Sequence, residues 1–106
     1  MLWLATLALA QITDFATLAK TNPFTSPADA AAGQKVYQGQ CAGCHGPQGE
    51  GGRGPDLARP VFVHAPSDFA LFKLLRTGID GTEMPRIVSV TDKEVWQVIA
   101  FLRTLS

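Results

Sequence analysis

The stretch Cys41-Ala42-Gly43-Cys44-His45 decides how the rest of this chain is read. It contains both cysteines of the protein and one of its two histidines. Cys-x-x-Cys-His is the attachment pattern of a c-type haem. Two thiols three residues apart on a tight helical turn can each add to one vinyl group of the porphyrin. The histidine that follows then lies beneath the ring, where its imidazole can bind the iron. Ala42 and Gly43 are small enough to let the backbone press against the ring edge.

Three other readings use the same cysteines. A redox dithiol calls for a preceding strand and a βαβ pattern, and neither is visible. A zinc site needs four ligands, for which Cys41, Cys44, His45 and His64 are the candidates, and a second ligand pair of the usual spacing is missing. A Cys41–Cys44 disulfide closes too small a loop to stabilise much. Haem attachment fits best.

A chain of 106 residues is one domain, and a domain of that size buries limited apolar surface unless something staples it. A covalently held porphyrin is such a staple. Net charge zero and the absence of any basic run argue against nucleic acid or an anionic membrane as the main partner. Residues 1–10 are almost wholly apolar and end in Ala8-Leu9-Ala10, which reads as a signal-peptide core with its cleavage site, although no basic residue precedes it. The alternative is an apolar turn packed on the domain. The run is too short for a transmembrane span. Residues 11–26 read as a leader or linker, with Ile12, Phe15 and Leu18 at the spacing of a short helix that Asn22-Pro23 would stop.

The domain, residues 27–106, opens with Ser26 as N-cap and Pro27 as first helical residue, and the helix is expected to reach about Gln38. Val36 and Tyr37 fall on its buried side. Gly33 in mid-helix calls for close approach of another helix. Between Gly46 and Gly54 five glycines rule out a helix and let the chain curl. Gly49, Gly51 and Gly54 spell G-x-G-x-x-G, but no strand leads into them and no helix follows, so nucleotide binding is not supported. A loop around the haem fits better. His64, in an irregular run bounded by Pro60 and Pro66, reads as an ordinary loop histidine, with haem ligation the alternative.

Ser67 or Asp68 can cap a helix through about Thr77, with Phe69, Leu71, Phe72, Leu74 and Leu75 as its apolar stripe and Gly78 as its stop. Met84-Pro85 sits in the loop after it. Met84 is the chain's only methionine besides the first residue, and a thioether is a suitable axial donor for haem iron. Thr91 and Glu94 form a capping box for a last helix, apolar around most of its girth through Val95, Trp96, Val98, Ile99, Phe101 and Leu102.

Taken together, Gly33-x-x-x-Tyr37, Cys41-x-x-Cys44-His45-Gly46, Gly54-Pro55-Asp56-Leu57, Gly78, Met84-Pro85 and the aromatic last helix resemble the class I cytochrome c family. The resemblance covers about residues 28–106 and leaves the first quarter unmatched. It implies an all-α, cytochrome c-like fold of three main helices and loops around one haem c. It makes Cys41 and Cys44 the thioether residues and His45 and Met84 the axial ligands. Pro55 matches the proline whose carbonyl accepts from the proximal imidazole. Gly33 and Tyr37 match the positions that cross the last helix near Val98 and Phe101. Tyr37, Leu57 and Trp96 are expected against the haem, and Arg53 is expected to meet a propionate.

The implied function is one-electron transfer without enzymatic turnover, outside the cytoplasm. The partners would be a dehydrogenase as donor and an oxidase or another cytochrome as acceptor. Without a lysine-rich face, docking on a strongly acidic partner is not implied. A haem enzyme or gas binder is the rival reading. It needs an open sixth position and an acid–base group, and only Glu83 adjoins Met84. A fixed subunit of a larger dehydrogenase is a third.

Overall fold

In the computed structural model, which describes residues 20–106, helix α1 (Pro27–Gln40) begins at the expected cap. The Ser26 hydroxyl accepts from the Asp29 amide at 3.1 Å and the Asp29 carboxylate accepts from the Ser26 amide at 3.2 Å, which makes a full capping box. The helix runs two residues beyond the expected end. The Cys41 amide still donates to the Tyr37 carbonyl at 2.8 Å, so helical hydrogen bonding carries straight into the cysteine motif. That motif forms a single further turn, α2 (Ala42–His45).

Helix α3 (Asp68–Thr77) and helix α4 (Asp92–Arg103) have the expected bounds. The Ser67 hydroxyl caps α3 by accepting from Ala70 at 3.1 Å, and Gly78 closes it at φ 71°. Thr91 and Glu94 form the predicted box on α4. Among the described residues there is no strand, only an isolated bridge between Phe62 and Ala65. No helix among them is long and apolar enough to cross a membrane. The signal-like run of residues 1–10 and the helical spacing of Ile12, Phe15 and Leu18 lie outside the described residues. The end of the leader does pack on the domain: Asn22 donates its side-chain amide to the Trp96 carbonyl at 2.8 Å, and Phe24 rests on the core under Lys93.

Helices α1 and α4 cross at Gly33. A Cβ built there would lie 1.8 Å from the Gln97 carbonyl oxygen and 2.7 Å from the Val98 nitrogen, so the two backbones touch. One turn on, the Tyr37 and Phe101 rings meet at 5.1 Å. The Gln97 side chain, itself buried, donates to Asp29 at 2.9 Å and ties the start of α1 to the crossing. That bond and those from Ser26 hold the Asp29 carboxyl below its ordinary pKa.

Helix α3 lies antiparallel to α4, since Arg103 at the end of α4 pairs with Asp68 at the start of α3, and Arg76 near the end of α3 pairs with Asp92 at the start of α4. Between these pairs Phe72 stacks on Trp96 at 4.5 Å. Every residue from Val95 to Leu102 is buried, as the apolar girth of α4 requires.

Two glycines in α1 separate packing from propensity. Gly33→Ala gains about 1 kcal/mol of helix propensity but drives a methyl into rigid backbone, for a net loss of about 2 kcal/mol. Gly39→Ala meets nothing within 4 Å and is expected to stabilise by about 0.5–1 kcal/mol. Thermal unfolding of the holoprotein checks both signs.

Candidate haem site

The glycine loop after α2 folds back onto that helix's own carbonyls. Gly46 donates to Ala42 at 2.9 Å, Gly51 to His45 at 2.7 Å and Gly54 to Cys44 at 2.7 Å. Gly46, Gly49 and Gly51 all take positive φ, which lets the chain reverse this tightly. The Tyr37 hydroxyl donates to the Gly46 carbonyl at 2.6 Å from the buried side and locks the loop to α1. Burial raises the Tyr37 pKa, so the phenol keeps the proton it donates.

The folded loop delivers Pro55 to the imidazole. His45 Nδ1 lies 2.8 Å from the Pro55 carbonyl oxygen, which can only accept, so Nδ1 carries the proton and Nε2 is the free donor atom. Gly54 packs against the ring face, where a Cβ would fall 2.6 Å from Cε1. The imidazole is thereby held in one tautomer and one orientation.

His45 opens into a cavity of about 360 Å³ between the helices. Its wall is mostly aliphatic and aromatic. Leu71, Leu74, Leu75, Ile79, Val98 and Leu102 are contributed by α3, α4 and the start of the loop between them, and Leu57, Phe62, Val63 and Ala65 by the irregular run before α3. Cys41, Tyr37, Pro55 and Met84 also line it. Burial pushes the Cys41 thiol up to about 11, which is the opposite of the activated thiolate a redox dithiol needs. Among the described residues no three His, Cys, Asp or Glu side chains converge on a common metal position, which leaves the zinc reading without a ligand set.

The lining suits a flat apolar macrocycle, with the Cys41 thiol for its edge and the free imidazole nitrogen of His45 for its face. Cys44 is exposed and lies outside the cavity wall, which fits a ring whose edge reaches the surface.

Two expected residues sit elsewhere. Trp96 is fully buried against Phe72 and is not part of the wall. Arg53 also lies off the wall and pairs with Glu83 at 2.9 Å, both side chains being more than two-thirds exposed at 69% and 79%. Arg59 and His64, by contrast, line the cavity. The run from Arg59 to Ala65 has neither helical nor strand period, so no sequence signal placed it there.

This architecture, a Cys-x-x-Cys-His turn directly after the first of two crossed helices with its imidazole anchored to a proline carbonyl, is that of a class I c-type cytochrome, which holds haem c covalently. The chain belongs to the family described as cytochrome c oxidase, cbb3-type, subunit III, whose profile matches residues 28–102. It is 32% identical over 75 residues to cytochrome c-L of Methylorubrum extorquens strain AM1, covering 69% of this chain and 38% of that protein. The crystal structure of cytochrome cL from Methylophaga aminisulfidivorans superposes with a TM-score of 0.73 at 24% identity, over 86% of this chain and 64% of that one. Cytochrome cL from Hyphomicrobium denitrificans gives a TM-score of 0.66 at 29% identity, over 76% and 50%. The chain thus spans less than two-thirds of each of these relatives.

Cys41→Ala or Cys44→Ala is expected to impair covalent attachment, and His45→Ala to prevent stable holoprotein from accumulating. Haem staining after denaturing electrophoresis reads the first, and recovered absorbance per polypeptide the second. Gly54→Ala leaves the cysteines intact but pushes on the imidazole, so it should keep the covalent stain while altering the visible spectrum.

Proposed function

We propose that this domain is a one-electron carrier whose covalently attached haem c has His45 and Met84 as its two axial ligands. The reading is supported most directly by the anchored imidazole, with His45 Nδ1 engaged by Pro55 at 2.8 Å in a cavity that Met84 also lines. The bound haem supplies reversible one-electron chemistry at its iron. His45 offers Nε2 in a fixed tautomer, and the carbonyl on its far side increases its donor strength. Met84 offers a soft thioether, which favours the reduced state and raises the potential. The aliphatic wall keeps water from both ligands. Cys41 and Cys44 form the thioethers, and Tyr37 and Leu57 pack on the ring.

Arg59 and His64 meet the porphyrin's carboxylates in this reading. Arg53, which the resemblance put there, is engaged with Glu83 instead. The Glu83 pair also weakens the enzyme reading, because the carboxylate nearest Met84 in sequence is occupied at the surface. The domain carries electrons without turning over a substrate.

Its place is outside the cytoplasm, between a dehydrogenase-type donor and an oxidase or second cytochrome as acceptor. Val63, 87% exposed yet part of the cavity wall, gives apolar surface beside the ring for brief contact with a partner. A second reading, a fixed oxidase subunit, is favoured by the description of the family. Size-exclusion chromatography of native extracts separates the two, a free carrier eluting alone and a subunit with its complex.

The visible spectrum of ferric protein tests the ligand pair. Wild type should show the weak red charge-transfer band of sulfur on haem iron, and Met84→Ala should lose it and gain affinity for added ligands. A wild type without the band has another sixth ligand or none, and the His45/Met84 carrier reading falls.

A further inference from the structure

The loop between α3 and α4, residues 78–91, carries Met84 and is mostly exposed. Its upstream half is held by its own turn bonds, Ile79 to the Met84 carbonyl at 3.2 Å, the Thr82 hydroxyl to the Ile79 carbonyl at 2.7 Å, and Met84 to the Thr82 hydroxyl at 3.2 Å. Such bonds shape the turn, but they move with it. Something else must fix it to the body of the domain.

Two charged ties reach this segment, and their surroundings differ. Arg53–Glu83 is exposed on both sides, and a pair of that kind contributes little. Arg76 is only 23% exposed and divides its donor fork between the segment and the start of α4. Nη1 donates to the Ile87 carbonyl at 2.8 Å and Nη2 to the Val90 carbonyl at 2.8 Å. Nε and Nη2 both donate to one Asp92 oxygen, at 2.9 and 2.7 Å. One rigid guanidinium on α3 thus grips two loop carbonyls and the first turn of α4. Beside it the Ile87 amide donates to the Leu75 carbonyl at 2.7 Å, and Gly78 leaves room for Met84 and Arg86 backbone within 3 Å of where its Cβ would stand.

We propose that Arg76 is the positioning residue that clamps the Met84 loop onto α3 and so sets how readily a small ligand can displace Met84. The inference rests on the axial role given to Met84 above. Because the clamp needs a planar fork rather than a charge, lysine cannot replace it.

The experiment compares holoprotein of the wild type, Arg76→Gln, Arg76→Lys and Arg103→Gln. Arg103 ties the same two helices at their other end, bonding Asp68 at 2.7 Å and the Pro60 carbonyl at 3.1 Å without touching the Met84 loop. Two readouts are taken: the Kd of imidazole for the ferric protein, and hydrogen exchange of the Ile87 amide. Both Arg76 variants should bind imidazole about tenfold more tightly than wild type, the effect of populating an open loop that loses a charge-assisted bond. Their Ile87 amide should exchange faster by a similar factor, and Arg103→Gln should stay near wild type in both. Equal imidazole affinity in the Arg76 and Arg103 variants overturns the proposal, as does full rescue by lysine. If glutamine prevents the holoprotein from accumulating, the lysine variant carries the comparison. A wild type without the sulfur band defeats the ligand assignment instead, and Ile87 exchange then decides the clamp alone: unchanged exchange in the Arg76 variants rejects it.

Discussion

Contact between the α1 and α4 backbones at Gly33 sets the dimensions of this domain. With a Cβ there only 1.8 Å from the Gln97 carbonyl oxygen, any side chain would force the helices apart. At this separation Tyr37 reaches both ways: its ring meets Phe101 and its hydroxyl holds the Gly46 carbonyl at 2.6 Å. The loop fixed by that bond carries Pro55 to His45. A chain of short contacts therefore runs from a missing methyl group to the orientation of the imidazole.

What the crossing does not organise is the rest of the cavity wall. Its remaining faces come from α3 and from two irregular segments, residues 56–66 and 78–91, which make few backbone hydrogen bonds of their own. A domain this small has little apolar surface with which to pin such segments. Two half-buried arginines, one at each end of the antiparallel α3–α4 pair, reach across instead. Arg103 takes the Pro60 carbonyl and lies over Phe62, and Arg76 takes the Ile87 and Val90 carbonyls. The interhelical ion pairs are thus loop anchors as well. Being partly shielded, they are worth more than the exposed Arg53–Glu83 pair.

The features read correctly from sequence are those whose cause is local. Ser26, Ser67 and Thr91 cap the helices they were expected to cap, and Gly78 stops α3, because a cap acts on amides two or three residues away. Cys44 and His45 lie where a five-residue motif puts them, on one helical turn with Cys41 at its N-cap. The expected end of α1 at Gln38 fell short, since the bond that extends the helix comes from Cys41, inside the motif itself. The resemblance supplied Pro55 and the partners of Gly33, which no periodicity could have done.

Side chains whose position depends on distant packing were not legible. Arg53 and Arg59 are both basic loop residues near the glycine run, and nothing in the letters distinguishes the one that lines the cavity from the one that pairs with Glu83. Trp96 and Val98 share an apolar helix, yet α3 covers the first with Phe72 and leaves the second to the cavity. By itself, then, the sequence determined the helices, their caps and the attachment turn, because those follow from hydrogen bonds spanning a few residues. Only the tertiary structure decided which charges face the cavity and which grip the loops, because that depends on where the α1–α4 crossing and the α3–α4 pair leave space.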